Sequence, residues 1–447
     1  MRFADLARKY DVPAPRYTSY PTVPAWEQAP DRATWLGSVQ RALAAGSGWS
    51  LYIHIPFCET LCTFCGCNTS ITRNHEVEQP YVDQVLAEWQ AYVRAVPGLL
   101  AAPLRNLHLG GGTPTFLSEA SLRRLLEPIL GAACRDPGFE GSVEVDPRRT
   151  SPGQLALLRG LGFNRVSLGV QDIDPEVQRV IHRVQPLEQT LAITQAAREL
   201  GYASVNWDLI YGLPLQTLER MTRTVEATLQ ARPDRIALYS FALVPWIKPA
   251  QRIFRDEDLP VGEEKRALYE RARSLLEGTY REIGMDHFAL PTDGLAGALD
   301  RGTLHRNFMG YVGLRTDLLL GLGVSAISET PGHFHQNEKV LNLYAARAVA
   351  GEVPTHRGHC LTAEDRRVRE QILQLMTRWS VDLAGDPHAP QVRAALAEMV
   401  ADGLVALEGT RVRVLPAGRP FLRNACMALD RRLVRRQPGA KVFSQAL

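Results

Sequence analysis

Along the middle of the chain, short β-branched or apolar runs alternate with longer stretches whose apolar positions recur every three to four residues. The runs are Ser50–Ile55, Asn106–Leu109, Ser142–Val145, Arg165–Leu168, Ser204–Ile210 and Arg235–Ser240. Between them lie Gln79–Val93, Ser118–Leu130, Pro152–Leu161, Leu187–Leu200 and Leu218–Ala231, which read as helices. Strand alternating with helix implies parallel βαβ units. Six of them predict an α/β fold, a partial (β/α)6 barrel, over residues 36–335.

The flanks differ. Residues 1–35 hold Pro13, Pro15, Pro21, Pro24 and Pro30, which discourage long helix, and predict an extended arm packed over the barrel and covering its site. Inside 36–335, Glu263–Gly284 predicts a helix and Met285–Pro291 a short strand or edge. The glycine-rich stretch Leu304–Ser328 predicts loops and a closing strand at the barrel's open side. Residues 336–359 read as a linker. From 360 to 447 the order is helix Ala363–Trp379, helix Gln391–Asp402, a hairpin pairing Leu404–Leu407 with Arg411–Leu415, and helix Gly418–Arg435. That predicts a mostly helical, winged-helix-like C-terminal domain.

Composition narrows the class. Over 447 residues, 45% hydrophobic and 22% charged is ordinary for a globular protein. A net charge of +3 gives no argument for nucleic acid. No apolar run reaches the ~18 residues of a membrane span, and the first twenty residues lack the apolar centre of a signal peptide. Seven cysteines, four of them bunched, argue against a secreted disulfide framework and for a reducing cytosol.

The bunched cysteines are the candidate chemistry. LYIHIPFCETLCTFCGCN places Cys58, Cys62 and Cys65 at C-x3-C-x2-C, with Cys67 two residues on. Structural zinc usually takes paired knuckles separated by a longer loop, and no second pair exists here. Three thiolates on a [4Fe–4S] cluster would leave one iron open to bind something else. The other polar motifs fall at the C-terminal ends of the predicted strands, where such barrels gather their chemistry. GGGTPT (Gly110–Thr115) follows the second strand, Glu144 and Asp146 end the third, Gln171 and Asp172 follow the fourth, and Asp208–Pro214 closes the fifth. Tyr52 and His54 share one face of the first strand.

C-x3-C-x2-C with Phe64 before its last cysteine resembles the radical S-adenosylmethionine (SAM) enzymes. Together with PRYTSYP, LYIHIPFC, the extra Cys67, GGGTPT, EVDP, GVQD, DLIYGLP and LHRNF, it resembles the family of oxygen-independent coproporphyrinogen III oxidases over nearly the whole chain. The resemblance implies a radical SAM partial barrel. It also implies a [4Fe–4S] cluster on Cys58, Cys62 and Cys65, with SAM on the open iron as the source of a 5′-deoxyadenosyl radical. It implies two SAM molecules, contacted by Tyr52, Phe64, Gly111, Gly112, Thr113, Glu144, Gln171, Arg183, Asp208, Ala242 and Ile327.

The implied reaction is oxidative decarboxylation of two propionates of coproporphyrinogen III to vinyls, in haem biosynthesis. It needs an electron donor and a final acceptor that the sequence does not identify. His54 and Cys67 are candidate catalytic groups; Cys67 stays out of the cluster and either assists catalysis or lines the pocket. Arg16, Phe308 and Met309 are candidate substrate contacts. Arginine suits the substrate's carboxylates, and Arg411, Arg413, Arg419, Arg423, Arg431, Arg432, Arg435 and Arg436 crowd the C-terminal domain, most of them reading as a solvated face. Two positions depart from the family: Met309 stands where glutamine is usual, and Leu243 where histidine is usual. The expected protein is a cytoplasmic monomer that binds neither membrane nor nucleic acid. The alternatives are a haem-binding chaperone of the same superfamily, or a radical SAM enzyme acting on another tetrapyrrole.

Overall fold

The structure is a computed structural model describing residues 3–435 and 443–446. Its spine is one twelve-stranded sheet. The six barrel strands are β1 (Trp49–Ile55), β2 (Leu104–Gly111), β3 (Arg135–Val145), β4 (Phe163–Gln171), β5 (Ser204–Tyr211) and β6 (Arg235–Ser240). They pair in sequence order, every neighbour parallel. Helices Glu78–Ala95, Glu119–Ala132, Pro152–Gly160, Leu187–Glu199 and Leu218–Ala231 return the chain between them. Leu51, Ile53 and Leu107 on the strands, with Val85 and Leu125 on the helices, are fully buried in the main core. Polar positions that alternate with the apolar ones along the strands face the lumen.

The sheet continues beyond both ends of the barrel. Past β6 lie β7 (Arg281–Gly284) and β8 (His287–Ala289), with β8 antiparallel to β6 and β7 at the edge. The helix expected over Glu263–Gly284 covers only Gly262–Leu276. Gly278 turns the chain at φ +88° and it returns as β7. On the other side β9 (Leu318–Leu322) runs parallel to β1. It is followed by the antiparallel β10 (Ile327–Glu329), β11 (His333–Asn337) and β12 (Thr355–Cys360). Residues 336–359 are therefore not a linker: they hold the end of β11, helix Leu341–Val349 and most of β12. A short hairpin, His305–Asn307 with Gly310–Val312, lies apart from the main sheet.

The C-terminal region has helix Ala363–Arg378 and a three-stranded sheet of Ser380–Asp382, Arg411–Val414 and Val405–Glu408. The helix expected over Gln391–Asp402 is two, Ala389–Ala395 and Ala397–Ala401. The last expected helix is also broken. Pro416–Phe421 is a 3-10 turn containing Pro420, followed by Leu422–Met427 and a turn of helix capped by Asp430. Arg436 lies outside the described residues.

The arm is not wholly extended, since Phe3–Tyr10 is a helix and Arg32 begins another. Nor does it rest chiefly on the barrel. Leu6, Tyr10, Tyr17 and Tyr20 enter the C-terminal core with Leu375, Val412 and Phe421. Buried Arg423 fastens this junction, donating to the carbonyls of Ala14, Pro15, Gln445 and Ala446. No helix among the described residues is long and apolar enough to cross a membrane.

Candidate active site

At the C-terminal rim of the barrel lies a cavity of about 500 Å³, within the range of small-molecule sites. Cys58, Cys62, Cys65 and Cys67 all reach it from the loop after β1, and none of the seven cysteines is in a disulfide. Cys62 is buried between two guanidinium groups, Arg183 Nη1 at 3.7 Å and Arg148 Nη2 at 3.8 Å. Asp146 anchors both, 2.6 Å from Arg148 and 3.4 Å from Arg183. Burial pushes the Cys58 thiol up to about 11. Cys65 is held down to about 6 by its hydrogen bond with Cys67 and by the nearby Lys248 and Arg183 charges, and Cys67 rises in turn.

Opposite the thiols, Glu144 on β3 accepts from the Gly111 amide at 3.2 Å and lies 3.1 Å from His108 Nε2. Burial works to raise Glu144, but His108 and the Gly111 amide outweigh it and hold the carboxyl below its ordinary value. Asp208 on β5 accepts from Ser167 Oγ and Asn206 Nδ2. Burial first, and then the Glu144 charge, push Asp208 up to about 7. The site thus pairs an ionised carboxylate with one that titrates near neutrality. Gln171, with φ +67°, turns the chain after β4. Arg183 donates to the Gly169 carbonyl at 2.6 Å, and its Nε finds no partner among the described residues.

The glycine run also seats the cysteine loop. A Cβ on Gly111 would lie 2.8 Å from the Ile55 carbonyl, and one on Gly112 2.7 Å from that of Pro56. The close approach that glycine permits is to the root of the cysteine loop, a seam held by Gly112 N to Ile55 O and Thr113 N to Phe57 O.

Fourteen of the singled-out residues line this cavity: the four cysteines, Arg16, Phe64, Gly111, Gly112, Thr113, Glu144, Gln171, Arg183, Asp208 and Ala242. Five do not. Tyr52 stacks on His108 beneath the rim. His54 has both ring nitrogens engaged, Nε2 donating to the Asn68 carbonyl and Nδ1 accepting from Tyr52, each at 2.9 Å. It holds the cysteine loop from below, and burial keeps it neutral. Ile327 lies on β10. Phe308 meets Trp26 and Phe334 edge-on. Met309 lines a smaller neighbouring cavity of about 120 Å³ that shares Glu144, Ser167, Asp208 and Tyr239 with the main one. Leu243 packs at the apolar cluster around Phe241 and Ile210.

The sequence reading missed His108, Arg148 and Ser167. His108 shares the face of Gly110 two residues on, and that period was the available signal; Arg148 and Ser167 carried none.

Among the described residues, no three Cys, His, Asp or Glu donors converge as on a single metal ion. A four-iron cluster asks instead for one thiolate on each of three irons. Three thiols opening on one cavity, with cationic groups beside the buried one, fit that group.

A parallel barrel carrying three thiols of this spacing at its C-terminal rim defines a radical SAM enzyme, and the model of the Radical SAM superfamily matches residues 52–228. Enzymes of this class carry a [4Fe–4S] cluster and SAM. The chain is 39% identical to the oxygen-independent coproporphyrinogen III oxidase of Pseudomonas aeruginosa, covering 96% of each protein. It is equally similar, at 39%, to that of Escherichia coli, covering 99% of this chain and 98% of the relative. The solved structure of the Escherichia coli coproporphyrinogen III oxidase, described as a radical SAM enzyme, superposes with a TM-score of 0.88 at 38% identity, over 93% of this chain and 97% of that one. The chain belongs to the oxygen-independent coproporphyrinogen III oxidase family.

Proposed function

We propose that the protein converts two propionates of coproporphyrinogen III to vinyls without oxygen, yielding protoporphyrinogen IX for haem synthesis. The observation that carries this is the end-to-end match to the oxidases, with the thiols and the polar rim converging on one cavity. When bound, the cluster and SAM supply an electron and a 5′-deoxyadenosyl radical.

The chain's own residues do the rest. Cys58, Cys62 and Cys65 hold the cluster, and Arg148 and Arg183 stabilise the Cys62 thiolate. Gly111, Gly112, Thr113 and Glu144 receive SAM beside the open iron, since a carboxylate suits its ammonium or ribose diol. Tyr52 and His54 brace that wall. Gln171, Arg183 and Asp208 serve a second SAM, and Phe64, Ala242 and Ile327 are further SAM contacts. Cys67 lines the pocket at the lip of the cysteine loop. Arg16, Phe308 and Met309 face the substrate side. Each propionate loses a β-hydrogen atom, carbon dioxide and one electron, and an external acceptor takes the electron. The protein works as a cytoplasmic monomer.

The test is anaerobic. Reconstituted protein, SAM, a reductant and coproporphyrinogen III should give protoporphyrinogen IX and 5′-deoxyadenosine by mass. Deoxyadenosine without decarboxylated product would overturn the substrate. Tight haem binding with no deoxyadenosine would overturn the chemistry.

A further inference from the structure

Two lysines touch the outer edge of the cysteine loop, and an arginine lies close to one of them. Lys248 Nζ donates to the Cys67 carbonyl at 2.7 Å. The Lys339 carbonyl accepts from Asn68 Nδ2 at 3.3 Å, which puts Lys339 against the same loop. Arg357 on β12 donates from Nε to Gln336 Oε1 at 2.7 Å. Among the described residues none of the three forms an ion pair. The Arg357 Nη groups and Lys339 Nζ have no hydrogen-bond partner there.

Register shows which face Arg357 shares. Ile327, Gln336 and Arg357 are partners across β10, β11 and β12, and partners in register share a face. The face carrying Ile327 therefore carries Arg357. The Arg357 guanidinium is 5.7 Å from the Trp26 ring, which stacks on Phe334. Partial enclosure of its ammonium, with the like charges of Arg357 and Lys248, holds Lys339 below its ordinary value. Lys339 therefore sits in the field of both other cations. Such a group is unfavourable until an anion joins it.

We propose that Lys339 and Arg357, with Lys248 at the loop, form a carboxylate clamp that holds the propionates of the substrate that are not reacting. This rests on the substrate reading above: two of four carboxylates react, and two must be held. Guanidinium and ammonium are the groups that recognise them.

The test uses the reconstituted full-length protein with Arg357→Gln, Lys339→Gln, both together, and Arg357→Lys. Losing a charged hydrogen bond should raise KM for coproporphyrinogen III roughly tenfold per cation. kcat should change far less, and Arg357→Lys should recover most of the loss. An unchanged KM in the double variant, while the parent turns over, overturns the clamp and leaves the activity standing. Equilibrium binding of coproporphyrin III and of its tetramethyl ester tests the clamp without turnover. The parent should prefer the free acid by ~10-fold or more, and the double variant, which keeps only Lys248 of the three, should lose most of that preference. A parent without that preference overturns the clamp.

Discussion

Replacing Asp208 by asparagine should make the protein more stable while weakening its hold on SAM. The carboxyl takes hydrogen bonds from Ser167 at 2.9 Å and Asn206 at 2.8 Å. Burial and the Glu144 charge nevertheless push it up to about 7. Below pH ~4 folded and unfolded chains are both protonated there, and the group has no effect. Between ~4 and ~7 the unfolded chain releases its proton and the folded one keeps it, so the folded state loses ground. Above ~7 the whole penalty is present. About three pH units at ~1.4 kcal/mol each set an upper bound of ~4 kcal/mol, and water in the cavity reduces this to ~2 kcal/mol or somewhat more.

Asparagine cannot ionise, and it keeps an acceptor for Asn206 and offers an amide to Ser167. The margin of Asp208→Asn over the parent should therefore widen by roughly 1 kcal/mol from pH 5 to pH 8. Urea unfolding midpoints of anaerobic, cluster-loaded, SAM-free protein read it directly, and equilibrium dialysis reads the fall in SAM affinity. A margin that stays flat or narrows as pH rises refutes the raised carboxyl.

Two further predictions concern the loop and the arm. Cys62→Ser should abolish the cluster's visible absorbance and SAM cleavage, while Cys134→Ser, on an exposed residue away from the cavity, should leave both intact; a Cys62 variant that still cleaves SAM would remove the cluster assignment. Arg423→Met removes four donations to the arm and the C-terminal residues, a loss of about 3–5 kcal/mol for a buried charged network. The arm should then be cut by trypsin at least a hundredfold faster under native conditions, and unchanged protection would refute that anchorage.

The barrel was legible because apolar residues recur along its strands, alternating with lumen-facing polar ones, and periodic helices separate them, whereas β11 and β12 were not. β11 is His-Phe-His-Gln-Asn, and β12 is no more apolar. Both read as connection because their polar groups are satisfied only by distant partners. His335 stacks on Trp35, and Asn337 Nδ2 donates to buried Glu88 and to the Gly323 carbonyl. A two-residue period cannot show that. The arm's docking depends likewise on Arg423, over four hundred residues away in the chain.

The same limit explains what the chemical motifs did and did not say. Three thiols in eight residues are a local fact, so their convergence was readable. Gly111 and Gly112 stood out as a motif, but the object of their close approach did not. That object is the backbone at Ile55–Phe57, so the glycine run is a seam that presses the cysteine loop onto β2. At this seam the Gly111 amide meets Glu144, whose carboxylate comes from the next strand. The thiol-bearing loop and the carboxylate are thus positioned by the same two residues. A side chain added at Gly112 would collide with the Pro56 and Phe57 carbonyls and lift the cysteine loop off β2, displacing the thiols and the wall that carries Glu144 together.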